Sequence, residues 1–201
     1  MREFELIRSI VARNGDLPEH VTIPPGDDMA CLRLGDLELL VAVDQVIEGV
    51  HFDRKSATLK QIGRKAVTRN LSDVAAMAGK PLASLVSAVL PKGFAKADAE
   101  ALMAAVRETA QAYGAPLIGG DTATSDSPLS LSVTVLATAD GIAPVQRTGA
   151  QPGDAIYVTG QLGGSLHAYD GGTHHLDFEP RIELARTLAA NSETRPTAMI
   201  D

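Results

Sequence analysis

Asp27 and Asp28 stand side by side behind a glycine, in the run Ile23-Pro24-Pro25-Gly26-Asp27-Asp28. Adjacent carboxylates repel each other. A hard divalent cation such as Mg2+ or Ca2+, which takes oxygen ligands from a short turn, would justify placing them together; the alternative is an exposed Asp-rich turn. Isolated aspartates recur at otherwise apolar element ends, at Asp44, Asp73, Asp121 and Asp201. A cation site in this chain would therefore be assembled from distant segments.

Other residues offer weaker chemistry. In Gly119-Gly120-Asp121-Thr122 the paired glycines let a backbone approach a bulky anion or its metal, but Gly-Gly-Asp is also a plain turn. Arg147, in a Pro- and Gly-rich stretch, is either a bidentate phosphate ligand or a solvated surface arginine. His51 lies among apolar residues, where a hydrogen-bonded structural histidine is the common case; only the nearby Asp44 favours a ligand contact. Gly163-Gly164-Ser165 is a glycine-rich turn that matches neither a Walker loop nor a dinucleotide fingerprint. His174-His175 reads as a solvated loop.

The elements that must position these groups follow from periodicity. Phe4, Ile7, Ile10 and Val11 predict an amphipathic helix over 3–13 that covers a core. Strands over 28–34 and 37–44 are joined by Gly35-Asp36, suited to a tight hairpin, and the second ends at Asp44. Leu59, Ile62, Ala66, Val67, Leu71, Val74 and Met77 predict a long helix over 58–78, closed by Gly79 before Pro81. Asn70, Ser72 and Asp73 interrupt it with poor helix formers, as a solvated turn or as functional groups. A strand over 82–90, a helix over 96–112, an alternating strand through Leu129, Leu131, Val133 and Val135, a strand over 155–160 and a helix over 180–190 complete the pattern. Asp140-Gly141, followed by Pro144, Gly149, Pro152 and Gly153, marks the best candidate domain boundary.

Composition narrows the partners. The 201 residues are 45% hydrophobic and carry a net charge of −7, enough chain for a real core and the wrong sign for a nucleic-acid footprint or an anionic membrane surface. A phosphate-bearing ligand would need bridging cations. Cys31 is the only cysteine, so no intrachain disulfide can form, and a reducing, cytoplasmic setting is expected. No apolar run has membrane-spanning length, and the charged start argues against a secretory signal. The chain stops at Ala198-Met199-Ile200-Asp201, within or just after a strand-like run, which suggests a fragment of a longer protein.

Taken together, Glu3 to Ile7, Gly26-Asp27-Asp28, Glu48-Gly49-Val50-His51-Phe52, Asn70-Leu71-Ser72-Asp73-Val74-Ala75-Ala76-Met77, Gly119-Gly120-Asp121-Thr122, Arg147 to Asp154 and Ala198-Met199-Ile200-Asp201 resemble, in order, the motifs of the thiamine-monophosphate kinase family. That family belongs to the superfamily of aminoimidazole ribonucleotide synthase. The resemblance implies an α/β fold, with a mixed-sheet N-terminal domain over 1–140 that dimerises and the start of a second α/β domain over 141–201. It implies ATP-dependent phosphorylation of thiamine monophosphate, with several Mg2+ ions. Asp27, Asp28, Asp44, Asp73, Asp121 and Asp201 match the family's Mg2+-binding carboxylates. Gly120, Asp121 and Arg147 match its nucleotide contacts, and His51 matches a residue at the thiamine-phosphate site. No catalytic residue is implied beyond the metal ligands. The chain departs from the family at Ala42-Val43-Asp44-Gln45, where Ser/Thr-Thr-Asp is usual. Other readings are a catalytically altered nucleotide- or metal-binding relative, and another ATP-using enzyme of the superfamily.

Overall fold

The computed structural model describes residues 3–160 and 173–201. Gly163-Gly164-Ser165 lies outside them. Six strands form one mixed sheet in the order β1-β2-β3-β6-β4-β5: β1 (Val21–Ile23), β2 (Ala30–Leu34), β3 (Leu37–Ile47), β4 (Lys80–Pro91), β5 (Leu117–Ser125) and β6 (Ser130–Thr138). Neighbours are antiparallel except the β4–β5 pair, which is parallel with the helix crossover that such a connection requires. The helices are α1 (Glu3–Val11), α2 (Leu59–Ala76), α3 (Lys96–Ala112), α4 (His174–Asp177) and α5 (Ile182–Ala190), with a 3-10 turn at Arg147–Gly149.

Helix α2 organises the interior. Thr58 caps its start in a reciprocal pair: the Gln61 N–H donates to Thr58 Oγ1 (3.2 Å) and the Thr58 N–H to Gln61 Oε1 (3.1 Å). Its end is a Schellman turn in which the Gly79 N–H reaches the Val74 carbonyl (2.9 Å) and the Ala78 N–H that of Ala75 (3.0 Å). The left-handed position of that turn is held by Ala78, at φ 55°, and not by the expected Gly79. Gly79 is required by packing instead, since a Cβ there would lie 3.0 Å from Leu40 and 3.1 Å from Val74.

The apolar face of α2 (Ile62, Ala66, Leu71, Val74) packs on the inward residues of the sheet: Leu40 and Val46 of β3, and Leu131, Val133, Val135 and Ala137 of β6. Burying each large aliphatic side chain stabilises the fold by about 1.5–3 kcal/mol. Helix α3 lies close beside α2 at Gly63, where a Cβ would stand 2.8 Å from that of Ala105. Leu176 of α4, and Ile182 and Ala185 of α5, join the same core.

Strand alternation leaves the other sheet face bare of helices among the described residues. Leu39, Val41 and Val43 of β3, Leu136 and Thr134 of β6, and Leu85 and Ser87 of β4 lie on it in register, and Val43 is 65% exposed.

Several expectations need correction. Helix α1 forms, but Phe4, Ile7 and Ile10 are exposed, so among the described residues it does not cover the core. Residues 155–160 form no strand: Ile156 and Tyr157 stand 93% and 87% exposed, with no neighbouring strand among the described residues to complete their hydrogen bonding. Gly119-Gly120-Asp121-Thr122 is strand β5 and not a turn. Gly120 serves the β4–β5 pairing there, since a Cβ would sit 1.9 Å from the Val86 carbonyl oxygen. His174-His175 opens helix α4 rather than a loop. Strand β1 lacks a signal of its own, being three residues long.

Candidate functional site

The aspartates singled out by type arrive from separate segments. Asp27 and Asp28 come from the turn before β2, Asp44 from the C-terminal half of β3, Asp73 from α2 and Asp201 from the final segment. In the turn, the Asp28 N–H donates to Asp27 Oδ1 (3.0 Å), a local Asx bond that fixes the pair. The Met29 N–H beyond it is buried and donates to Met77 Sδ at 3.1 Å, tying the turn to the end of α2.

Arg147 binds both members of the pair. Its Nε donates to Asp28 Oδ2 (3.0 Å), its Nη2 to Asp28 Oδ1, and its backbone N–H to Asp27 Oδ2 (3.1 Å). The Asp28 side chain has no exposed surface, so this bidentate pair supplies the hydrogen bonds that solvent does not. The 3-10 turn carrying Arg147 is pressed against residues 197–198. A Cβ on Gly149 would stand 1.7 Å from the Thr197 carbonyl oxygen. Thr197 Oγ1 also donates to Asp154 Oδ2 (2.6 Å), and the two contacts hold the last segment so that Asp201 reaches the cluster.

Asp44 is fixed from α2. The Asn70 side chain, fully buried, accepts from the Asp44 N–H (2.9 Å) and donates to the Ala66 carbonyl (3.0 Å); Arg69 Nε donates to Asp44 Oδ2. The polar interruption of α2 is thus neither a solvated turn nor a ligand at Asn70, but a clamp on β3. Asp73, one turn beyond Arg69, carries the largest perturbation. Burial, and then the charges of Asp201, Asp44 and Asp28, push its carboxyl up to about 8 against the pull of Arg147. The Asp201 carboxyl is also raised, first by desolvation and then by Asp28 and Asp44, with a Ser72 hydrogen bond and Arg69 opposing.

Asp121 does not join this cluster. Asp44 is paired with the buried Val133 and Asp121 with Ser87, so alternation turns Asp44 toward α2 and Asp121 toward the bare face. The same alternation separates the two positions where the family carries hydroxyls. Ala42 shares the face of Asp44, whereas Val43 points to the bare face.

His51 sits in the turn after β3. Its N–H donates to the Ile47 carbonyl (2.9 Å), and its Nδ1 accepts from the Ile47 N–H (3.1 Å). Burial, Arg69 and Lys65 lower its pKa, with the Ile47 backbone and Asp44 opposing. Lys65, only 7% exposed, donates to the His51 carbonyl (2.6 Å) and lies 2.6 Å from His175 Nδ1. Desolvation, and then Arg69, lower Lys65 to about 8.

Sequence reading missed Lys65 and Arg69 and took His175 for a solvated loop residue. With Asp73, the two cations occupy the i, i+4, i+8 row of α2, a spacing visible in the sequence as one helical stripe. Nothing local marked His175, because only the fold brings α4 to α2.

The donor set suits a hard divalent cation: several carboxylates share one region, and burial together with their mutual repulsion raises Asp73 and Asp201. Among the described residues no three of these side chains already form a single ligand shell. Arg69 is paired with Asp44, and Arg147 with Asp28.

Known proteins resemble this chain over most of its length. A curated relative, the thiamine-monophosphate kinase of Rhodopirellula baltica, is 40% identical over 194 residues, covering 92% of this chain and 59% of its own length. The thiamine-monophosphate kinase of Bacillus subtilis is 36% identical over 166 residues, covering 82% of this chain and 51% of its own. The solved AaThiL complex with AMPPCP and TMP superposes with a TM-score of 0.80 at 28% identity, over 94% of this chain and 64% of that one. The chain thus spans roughly half to two thirds of the length of these relatives. Residues 26–139 match the family model described as AIR synthase related protein, N-terminal domain, so this chain belongs to that family.

Proposed function

We propose that the protein to which this chain belongs transfers the γ-phosphoryl group of ATP to thiamine monophosphate, giving thiamine diphosphate and ADP. The observation that carries this reading is the convergence of Asp27, Asp28, Asp44, Asp73 and Asp201 with Arg147, in a chain that superposes on the AaThiL complex with AMPPCP and TMP. In the transfer, the bond from γ-phosphorus to the β,γ-bridging oxygen breaks and one forms to an acceptor phosphate oxygen. No phospho-enzyme is required. The acceptor is already largely ionised at neutral pH, so no strong general base is needed either.

The aspartates of the cluster would hold Mg2+, which supplies charge neutralisation and positioning of the polyphosphate. Arg147 binds phosphate oxygens with the fork it now offers to Asp28, and Gly120 and Asp121 contact nucleotide. His51 contacts the acceptor. The bare sheet face is the dimer interface, an apolar strip that also carries Ser87, Ser132 and Thr134, and Asp121 would lie at or near a partner subunit. Residues 1–140 act as the ATP- and Mg2+-binding domain, and 141–201 begin the second. No described helix is long and apolar enough to cross a membrane; a cytoplasmic setting with its ATP suits the reaction.

A second reading, a catalytically altered relative, draws on Ala42, which leaves no hydroxyl beside Asp44. Turnover decides between them. The full-length protein, given ATP and thiamine monophosphate with and without Mg2+, is expected to form thiamine diphosphate only with the metal. Mg2+-dependent ATP binding without product would favour the altered relative.

A further inference from the structure

We infer that Lys65 is a positioning residue for the acceptor site: together with the Ile47 backbone it holds His51 as a neutral imidazole whose ring proton is on Nε2. This rests on the kinase reading for what His51 touches, but the arrangement itself is geometric. Ile47 ends β3, and its carbonyl and N–H both return to His51, at 2.9 Å from the backbone N–H and 3.1 Å to Nδ1. A backbone N–H can only donate, so Nδ1 is the acceptor and the ring proton resides on Nε2. Gly49, at φ 82°, lets the chain double back, and the buried Phe52 closes the turn through its carbonyl to the Gly49 N–H (2.8 Å).

Lys65 locks this turn onto α2. Its ammonium is nearly removed from solvent and spends its donors on the His51 carbonyl and on His175 Nδ1, both at 2.6 Å. A buried ammonium is retained only where such partners compensate its desolvation. Burial, Arg69 and Lys65 disfavour a second proton on the His51 ring, while the Ile47 backbone and Asp44 favour it. His51 is therefore a fixed neutral donor, suited to an acceptor oxygen of a phosphate monoester, in a field made positive by Lys65 and Arg69. His175 extends the same chain of contacts to α4.

The test combines two readouts on the full-length protein. Selective 15N labelling of histidine, with parent spectra compared to those of a His51→Gln variant for assignment, reads the tautomer without any substrate. An Nε2–H ring at neutral pH supports the inference, and an Nδ1–H ring or an imidazolium overturns it, whatever the enzyme's activity. Steady-state kinetics of Lys65→Met are expected to raise the KM for the phosphorylated acceptor about tenfold, with the KM for ATP within about twofold of the parent's. Lys65→Arg, which keeps the charge and the donors, is expected to recover part of that loss. Equal rises in both KM values, or none in a folded Lys65→Met protein, would overturn the positioning role. If Lys65→Met does not fold, the tautomer of the parent and the kinetics of Lys65→Arg still decide. Parent protein that turns over no thiamine monophosphate defeats the kinase reading separately from the tautomer result.

Discussion

Arg147 holds Asp28 in a bidentate pair across 119 residues of sequence, and the Asp28 carboxylate has no other exposure to solvent. Removing the guanidinium leaves a buried charge without a partner. Arg147→Ala is expected to lower stability by roughly 1–3 kcal/mol, and Asp28→Asn in the same background to recover part of it. Denaturant unfolding of the parent, both single variants and the double variant gives the coupling; strictly additive effects would contradict a dependent pair.

Lys65 sets a pH dependence of known sign. Its folded pKa of about 8 lies below its ordinary 10.5, so between these values the unfolded chain binds more protons and stability rises with pH. The penalty is present in full below about pH 8 and is relieved toward pH 10.5. The stability of the parent relative to Lys65→Met is therefore expected to increase from pH 7.5 to pH 10. An unchanged difference measured by urea unfolding at the two pH values would show that the lysine is not desolvated.

Gly149 is a packing requirement for the segment that ends in Asp201. Gly149→Ala puts a methyl group 1.7 Å from the Thr197 carbonyl oxygen, so the two backbones must separate. A loss of roughly 1–3 kcal/mol is expected, with faster hydrogen exchange at residues 197–201. Protection identical to the parent would mean that the segment is not held by this contact.

Val43 reports on the bare sheet face. A charged side chain there leaves each protomer's core untouched, because the residue points away from α2, yet it opposes association through that face. Val43→Asp is expected to keep the parent's circular dichroism and to shift the sedimenting species from dimer to monomer. A dimer that persists places the interface elsewhere.

Most elements of the fold were legible in the sequence because they obey local rules. The apolar stripe of α2, the alternation of β6 and the Gly35-Asp36 hairpin each depend on residues within one or two turns of chain. Helix α3 follows from the same periodicity. The candidate metal residues were legible only as types, since an Asp-rich turn reads the same whether or not it holds a cation.

What the sequence could not determine is which of these residues share a face. Asp44 and Asp121 look equivalent in one dimension, but the register of β3, β6, β4 and β5 turns them to opposite sides of the sheet. Lys65, Arg69 and Asp73 form a visible helical row, yet only packing assigns Lys65 to His51 and His175, Arg69 to Asp44, and Asp73 to the burial and repulsion that raise its pKa. Propensity and periodicity are properties of neighbouring residues. The desolvation and charge coupling that give a carboxyl or an ammonium its chemistry arise from groups brought together across the chain, and only the tertiary structure decides them.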